Sequence, residues 1–143
     1  MSFRFLENIA TADIAFEIVS PTLENLFSDA ADALISVMIK DLNSIKDSQQ
    51  IPFEQSNLSI EMLLFNVLQE LIFFKDSQLM LYRFKDVSIT QVNQLSTFHA
   101  TLYGEQININ RHKILVDVKA VTLHNFFVKK ENNNWKSQII LDI

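Results

Sequence analysis

The sequence IEMLLFNVLQELIFFKDSQLMLYRFKDVSIT, residues 60–90, contains the change of periodicity on which the fold class depends. In its first half, apolar residues recur at helical spacing, which predicts an amphipathic helix that Asn57 or Ser59 can cap and that ends near Lys75-Asp76-Ser77. From Leu79 to Thr90 the pattern changes to the alternation of a β-strand. The apolar stripe of the helix comprises Ile60, Leu63, Leu64, Val67, Leu68 and Leu71.

Upstream of this stretch the sequence predicts a strand, a first helix and an edge strand. Residues 12–19 alternate between apolar and polar, which is typical of a half-buried strand. Ser20 and Pro21 predict an N-cap and a first helical position, and helical spacing continues to about Lys40. After a polar loop, residues 51–53 predict a short edge strand. Their central proline has no backbone N–H, so it cannot donate to the ladder as a residue of a central strand would.

Downstream, every segment has strand periodicity. The sequence therefore predicts an α+β fold in a single domain, residues 1–143, with two helices packed on a largely antiparallel sheet of roughly six to eight strands. The predicted C-terminal strands are Leu79–Thr90, Leu95–Tyr103, Leu115–Leu123, His124–Lys129 and Trp135–Asp142.

Composition excludes several classes of function. The chain has no cysteine, which excludes disulfides, thiolate nucleophiles and thiolate metal sites. Its one glycine, Gly104, is too few for a phosphate-binding glycine-rich loop. The net charge of −5 lacks the basic footprint of a nucleic-acid-binding domain, so any RNA is expected to be held by another protein. The absence of a long apolar run argues against a membrane span, and we expect a cytoplasmic protein.

Two acidic positions stand out at the ends of predicted strands. Asp13 lies at the start of the first strand, and Asp142 ends the last strand, immediately before Ile143. On spacing alone, ordinary solvated strand ends are the simpler explanation. Lys119 is the one basic residue in an otherwise apolar segment, and such a lysine usually lies on the wet face of a strand. The three histidines are far apart and lack the spacing of a zinc site.

Several short motifs together resemble the archease family, and the resemblance runs over nearly the whole chain. The most specific internal motif is residues 118–124, VKAVTLH, and the final Asp-Ile pair is also characteristic. Two positions depart from the family pattern, since Ala10 stands where histidine is usual and Ala15 where glycine is common. The other matching motifs are Thr11-Ala12-Asp13-Ile14, Thr22-Leu23-Glu24, Leu63-Leu64, Leu68-Gln69-Glu70-Leu71, Gly104-Glu105 and Arg111-His112.

The resemblance implies a specific function. Archeases act with the RNA ligase that joins a 3′-phosphate or 2′,3′-cyclic phosphate end to a 5′-hydroxyl; they promote its guanylylation and its repeated turnover, for example in tRNA splicing. It also implies a metal, calcium in the family, bound by Asp13, Asp142 and Ile143, with a supporting role for Lys119. Carboxylate oxygens are hard ligands, which suit calcium, magnesium or manganese.

Two other functions stay open at this point. One is a chaperone-like modulator of RNA-modifying enzymes, which needs only an exposed apolar surface. The other is a metal-dependent phosphohydrolase that uses the same carboxylates. That class usually needs a base, a positioned cationic group and a substrate pocket, and the sequence offers Lys119 and little else. We therefore expect an accessory protein without catalytic activity of its own.

Overall fold

The computed structural model describes residues 3–6 and 13–143, and within them the chain forms two α-helices, one 3₁₀ turn and seven β-strands. Ala10 and the Thr11-Ala12 part of the first motif lie outside the described residues. The elements are β1 (Phe3–Leu6), β2 (Asp13–Ser20), α1 (Leu23–Met38), the 3₁₀ turn (Leu42–Ser44), β3 (Gln49–Asn57), α2 (Ile60–Gln78), β4 (Met80–Val92), β5 (Leu95–Gln106), β6 (Ala120–Glu131) and β7 (Asn134–Asp142).

The strands form two antiparallel sheets, which confirms the predicted α+β fold. One sheet has the order β1-β2-β7-β6, and the other has the order β3-β5-β4. Each helix contacts strands of both sheets, α1 on β2 and β4 and α2 on β6 and β3. This position explains why nine side chains of α1 are buried, on more than one face of the helix. No helix in the described ranges has the length and hydropathy needed to cross a bilayer.

The N-caps predicted from the sequence agree with the structure for α2 but not for α1. Of the two predicted caps of α2, Asn57 and Ser59, the N-cap is Ser59, whose hydroxyl accepts from the amide of Met62. The predicted cap of α1 at Ser20 is wrong, because Ser20 is the last residue of β2 and pairs with Trp135. Thr22 is the N-cap instead, since its hydroxyl accepts from the Asn25 amide.

The segment after residue 114 also differs from the prediction. Residues 115–119 belong to no strand, and the two strands predicted over 115–129 are one strand, β6. Its pairing with β7 shifts register between Thr122 and Phe127, where Asn125 has a φ of 53°. An irregularity of this kind inserts extra residues into one strand and changes which face the side chains occupy. The alternation is interrupted there, and from sequence alone it resembled a boundary between two strands.

Gly104 is needed where β5 passes β4. It pairs with Tyr82 on one side and with Gln49 of β3 on the other, so it lies on the central strand of the three-stranded sheet, near the end of that strand. A Cβ atom at this position would lie 1.8 Å from the carbonyl oxygen of Leu81. Only a residue without a side chain allows the two backbones to approach this closely. The predicted edge strand around Pro52 is also confirmed, because β3 lies at the edge of this sheet.

Candidate metal centre

Strand pairing brings the two acidic strand ends together. Asp13 is the first residue of β2, Asp142 is the last residue of β7, and the two are direct partners in the antiparallel register. Side chains of such partners lie on the same face of a sheet, with Cβ atoms about 4.5–5.5 Å apart. Residues from near the two ends of the sequence therefore form one pair of carboxylates.

The carboxylate pair lies on the strand face opposite to the neighbouring core-facing residues. Side chains alternate between the two faces of a strand, and the neighbouring pair Ile14 and Leu141 faces the core. Leu141 is fully buried there, whereas Asp13 and Asp142 are half-buried. Ile143 follows directly and packs partly against the core. The carboxylates therefore remain accessible while their backbone is anchored by the sheet.

Neither carboxylate is neutralised by the part of the protein that the structure describes. Among residues 3–6 and 13–143, none forms a hydrogen bond or ion pair with the side chain of Asp13 or Asp142. Two like charges directly opposite each other on a sheet destabilise it. A bound cation would remove this repulsion, so the pair has an electrostatic reason to bind one.

Lys119 lies beside the same strand end. Its backbone amide donates to the carbonyl oxygen of Asp142 over 2.8 Å, and the next residue, Ala120, is the β6 partner of Asp142. Asp142 is therefore held between β2 on one side and the start of β6 on the other. The side chain of Lys119 is exposed. All four residues predicted for the site, Asp13, Lys119, Asp142 and Ile143, lie at this one end of the β2–β7 strand pair.

The donors suit a hard cation but do not complete its coordination. No group of three histidine, cysteine, aspartate or glutamate side chains with metal-binding geometry occurs within the described ranges of the chain. The available donors are two side-chain carboxylates and a main-chain oxygen of Ile143, about five oxygens in total if every one is used. Calcium takes six to eight oxygen ligands, so water or a partner group would have to supply the rest.

Lys75 on α2 contacts this region and was not singled out by the sequence. Only 5% of the residue is exposed, and its Nζ donates to the carbonyl oxygen of Val118 over 2.9 Å and to Asp117 Oδ1. Burial lowers the pKa of Lys75, but its hydrogen bonds to Asp117 and Asp76 outweigh that effect, and the net pKa is raised. In a sequence, a lysine near the end of a helix is usually explained by its interaction with the helix dipole. The position of Lys75 therefore gave no sign of its contacts with residues 117 and 118.

The Gly104-Glu105 and Arg111-His112 motifs form a separate ion cluster on the three-stranded sheet. Both carboxylate oxygens of Glu105 accept from Arg111, and Glu105 Oε2 also accepts from the amide of Lys46. His112 is buried; its Nδ1 accepts from the Asn108 amide, which leaves Nε2 to donate to Glu105. These bonds attach the loop after β5 to the loop after α1.

Glu105→Gln should destabilise the protein at neutral pH. The hydrogen bonds from Arg111, the Lys46 amide and His112 outweigh burial and lower the pKa of Glu105 from 4.5 to about 2. The carboxylate therefore adds stability above its unfolded-state pKa of 4.5, and this stability is lost as the pH falls toward 2. We expect the free energy of unfolding at pH 7 to fall by about 2–3 kcal/mol.

Urea unfolding at pH 7, 4 and 3 measures this effect, and the difference between variant and wild type should shrink at each lower pH. Glu54→Gln is a matched control, because Glu54 is an exposed partner of His99. It should change stability little at any pH. A Glu105→Gln deficit that stays constant between pH 7 and 3 would contradict the assignment.

Comparisons with known proteins match nearly the whole chain to one family. Residues 3–143 match the model of the Archease protein family (MTH1598/TM1083). The chain is 30% identical to the archease of Sulfolobus acidocaldarius over 99% of this chain and 98% of that protein. It is 29% identical to the archease of Pyrococcus abyssi, over 93% and 94% of the two chains.

Solved structures show the same fold. The solution structure of protein 1598 from Methanobacterium thermoautotrophicum is 29% identical, with a TM-score of 0.84 and 99% of each chain covered. A crystal structure from Thermotoga maritima, described as an archease and possible chaperone, is 18% identical and shares the fold with a TM-score of 0.61 over 98% of each chain. The chain therefore belongs to the archease family.

Proposed function

We propose that this protein is a cytoplasmic accessory protein that activates the RNA-splicing ligase. In this proposal it promotes guanylylation of the ligase and allows repeated turnover in the joining of 3′-phosphate or 2′,3′-cyclic phosphate ends to 5′-hydroxyl ends, as in tRNA splicing. The observation that carries the proposal is the direct pairing of Asp13 with Asp142 in a member of the archease family. The net charge of −5 favours a protein partner, with RNA reached through the ligase.

The proposed cofactor is a divalent cation, calcium in the first place and magnesium or manganese otherwise. Asp13 and Asp142 would hold it with their side chains, and Ile143 with a main-chain oxygen. A cation supplies a positive charge that binds phosphate or carboxylate groups of a partner. The chain's own residues supply the anchored strand ends and the accessible face, and Lys119 lies beside them in a supporting position.

We assign the protein no catalytic activity of its own. A metal-dependent phosphohydrolase would need a general base and a pocket shaped for substrate beside the cation. Hydrolysis of a phosphodiester by the isolated protein, with loss of the activity in Asp142→Ala, would support that alternative instead.

The deciding experiment is a turnover assay of the ligase. Ligase that has stalled after one round should resume multiple turnover when this protein and calcium, magnesium or manganese are added. Ligase with metal alone, and ligase with protein and a chelator, are the two reference conditions. Absence of rescue with each of the three metals would reject the proposal.

A short Gly-Ser extension fused after Ile143 should weaken cation binding. In a protein produced with Ile143 as its last residue, the extension converts the α-carboxylate of Ile143 into an amide, which removes one negative charge from the donor set. We expect the calcium affinity to fall at least about tenfold, measured by isothermal titration. The same extension before Met1 serves as the control, and an unchanged affinity in the C-terminal fusion would exclude Ile143 as a ligand.

A further inference from the structure

The second half of α2 is attached to residues 117–121, the segment that leads into β6. Lys75 Nζ donates to the Val118 carbonyl oxygen over 2.9 Å and to Asp117 Oδ1 over 2.5 Å. Val118 itself is fully buried although it belongs to no strand. Hydrogen bonds to a buried side chain, rather than a β-ladder, therefore hold this part of the segment.

A second side chain of α2 holds the other end of the same segment. Gln69 Oε1 accepts from the backbone amide of Val121 over 2.9 Å. Val121 is opposite Leu141 in the ladder with β7. The segment is thus attached to α2 on both sides of Lys119.

The attached segment in turn holds Asp142. The Lys119 amide donates to the Asp142 carbonyl oxygen, and Ala120 is the ladder partner of Asp142 on the side opposite to Asp13. A shift of residues 117–121 would therefore move or loosen Asp142 relative to Asp13. Side chains that orient metal ligands from outside the coordination sphere affect affinity in this way.

We propose that Lys75 and Gln69 are positioning residues for the carboxylate pair, which set the place of Asp142 beside Asp13 by fixing residues 117–121 to α2. The consequence for cation binding rests on the proposed function. The stability of the hydrogen bond between Lys119 and Asp142 is a property of the metal-free protein, so it can be tested independently of the proposed function.

The direction in which cation affinity changes when Lys75 is replaced distinguishes a positioning role from a purely electrostatic one. Removing the positive charge of Lys75 by itself favours cation binding, because a cation is repelled by a positive charge nearby. Loss of positioning has the opposite effect and weakens binding. Lys75→Met keeps the length and the apolar stem of the side chain, and it leaves the Val118 carbonyl without its donor.

The first measurement is amide hydrogen exchange of Lys119 in the metal-free protein, followed by NMR. We expect exchange in Lys75→Met to be about tenfold faster or more, since the amide's bond to Asp142 opens more often. Calcium affinity, measured by isothermal titration well below the melting temperature, should fall about tenfold. Gln69→Ala should shift both quantities in the same direction, and it provides a second test if Lys75→Met does not fold.

Arg83→Met is the matched control. It breaks the half-buried ion pair between Arg83 of β4 and Asp32 of α1, whose hydrogen bonds join these two residues and not residues 117–121, so it lowers stability without removing a bond to the segment. Its Lys119 exchange and its calcium affinity should remain near wild type at a temperature where all variants are folded.

The outcomes separate the two proposals. If wild-type protein binds no calcium, magnesium or manganese, the proposed cation site is rejected, and the exchange of Lys119 alone decides the positioning role. If both α2 variants leave Lys119 exchange unchanged, or if their calcium affinity is unchanged or higher while wild type binds, the positioning role is overturned. Equal effects in Arg83→Met would also overturn it, because they would show a general loss of stability.

Discussion

Asp13→Asn should abolish both the cation-dependent stabilisation of this protein and its rescue of a stalled ligase. The substitution keeps the size of the side chain but removes one of two negative charges that face each other across β2 and β7. At a concentration about 100 times the dissociation constant, a bound cation stabilises the wild-type fold by about 2.7 kcal/mol, and this increment should vanish in the variant.

The metal-free variant should not be less stable than wild type. Asp13 has no hydrogen-bonding or ionic partner among the described side chains, and replacing its carboxylate with a neutral amide relieves the repulsion from Asp142. We therefore expect equal stability or a gain of about 0.2–1 kcal/mol. Thermal melts with and without calcium measure both quantities in one series. An ordinary loss of folding would instead lower the melting temperature under both conditions.

Glu17→Gln is the matched control for this prediction. Glu17 lies on the same strand and the same face as Asp13, but it pairs with Arg4 and Lys136. It should retain both the calcium-induced rise in melting temperature and the ligase rescue. A calcium response that persists in Asp13→Asn at wild-type size would contradict the assignment of Asp13 as a ligand.

The second large effect is expected from Gly104→Ala, which acts on the fold and not on the site. The added methyl group would lie 1.8 Å from the Leu81 carbonyl oxygen, and the obstacle is backbone, which cannot rotate away. β4 and β5 would have to separate where Gly104 pairs with Tyr82. We expect a loss of about 3 kcal/mol or more and a fall in melting temperature of roughly 10 °C.

Thr101→Ala in the same strand provides the comparison, because it removes atoms without adding any, and it should cost no more than about 1 kcal/mol. Calcium should still raise the melting temperature of Gly104→Ala, since Gly104 belongs to the three-stranded sheet and the carboxylate pair to the other. A melting temperature within about 2 °C of wild type would show that the strands accommodate a side chain here.

Local sequence patterns were sufficient to predict the helices and the fold class. Helical spacing of apolar residues predicted α2, and Ser59 was one of two candidate caps because a serine hydroxyl can satisfy a free amide at a helix start. The edge position of β3 followed from Pro52, which lacks a backbone donor. These features depend on interactions between residues close in sequence, so no knowledge of distant contacts is needed to predict them.

Which distant residues meet depends on the tertiary fold. The division of the strands into two sheets, the end of β2 at Ser20 and the irregular pairing of β6 follow from register between segments far apart in the chain. The attachment of residues 117–121 to α2 has the same origin, because Lys75 contacts residues more than 40 positions away. Strand alternation shows which face a residue occupies but not which residue lies opposite. For that reason the family resemblance, and not spacing, suggested that Asp13 and Asp142 act together, and the β2–β7 register is what makes them neighbours.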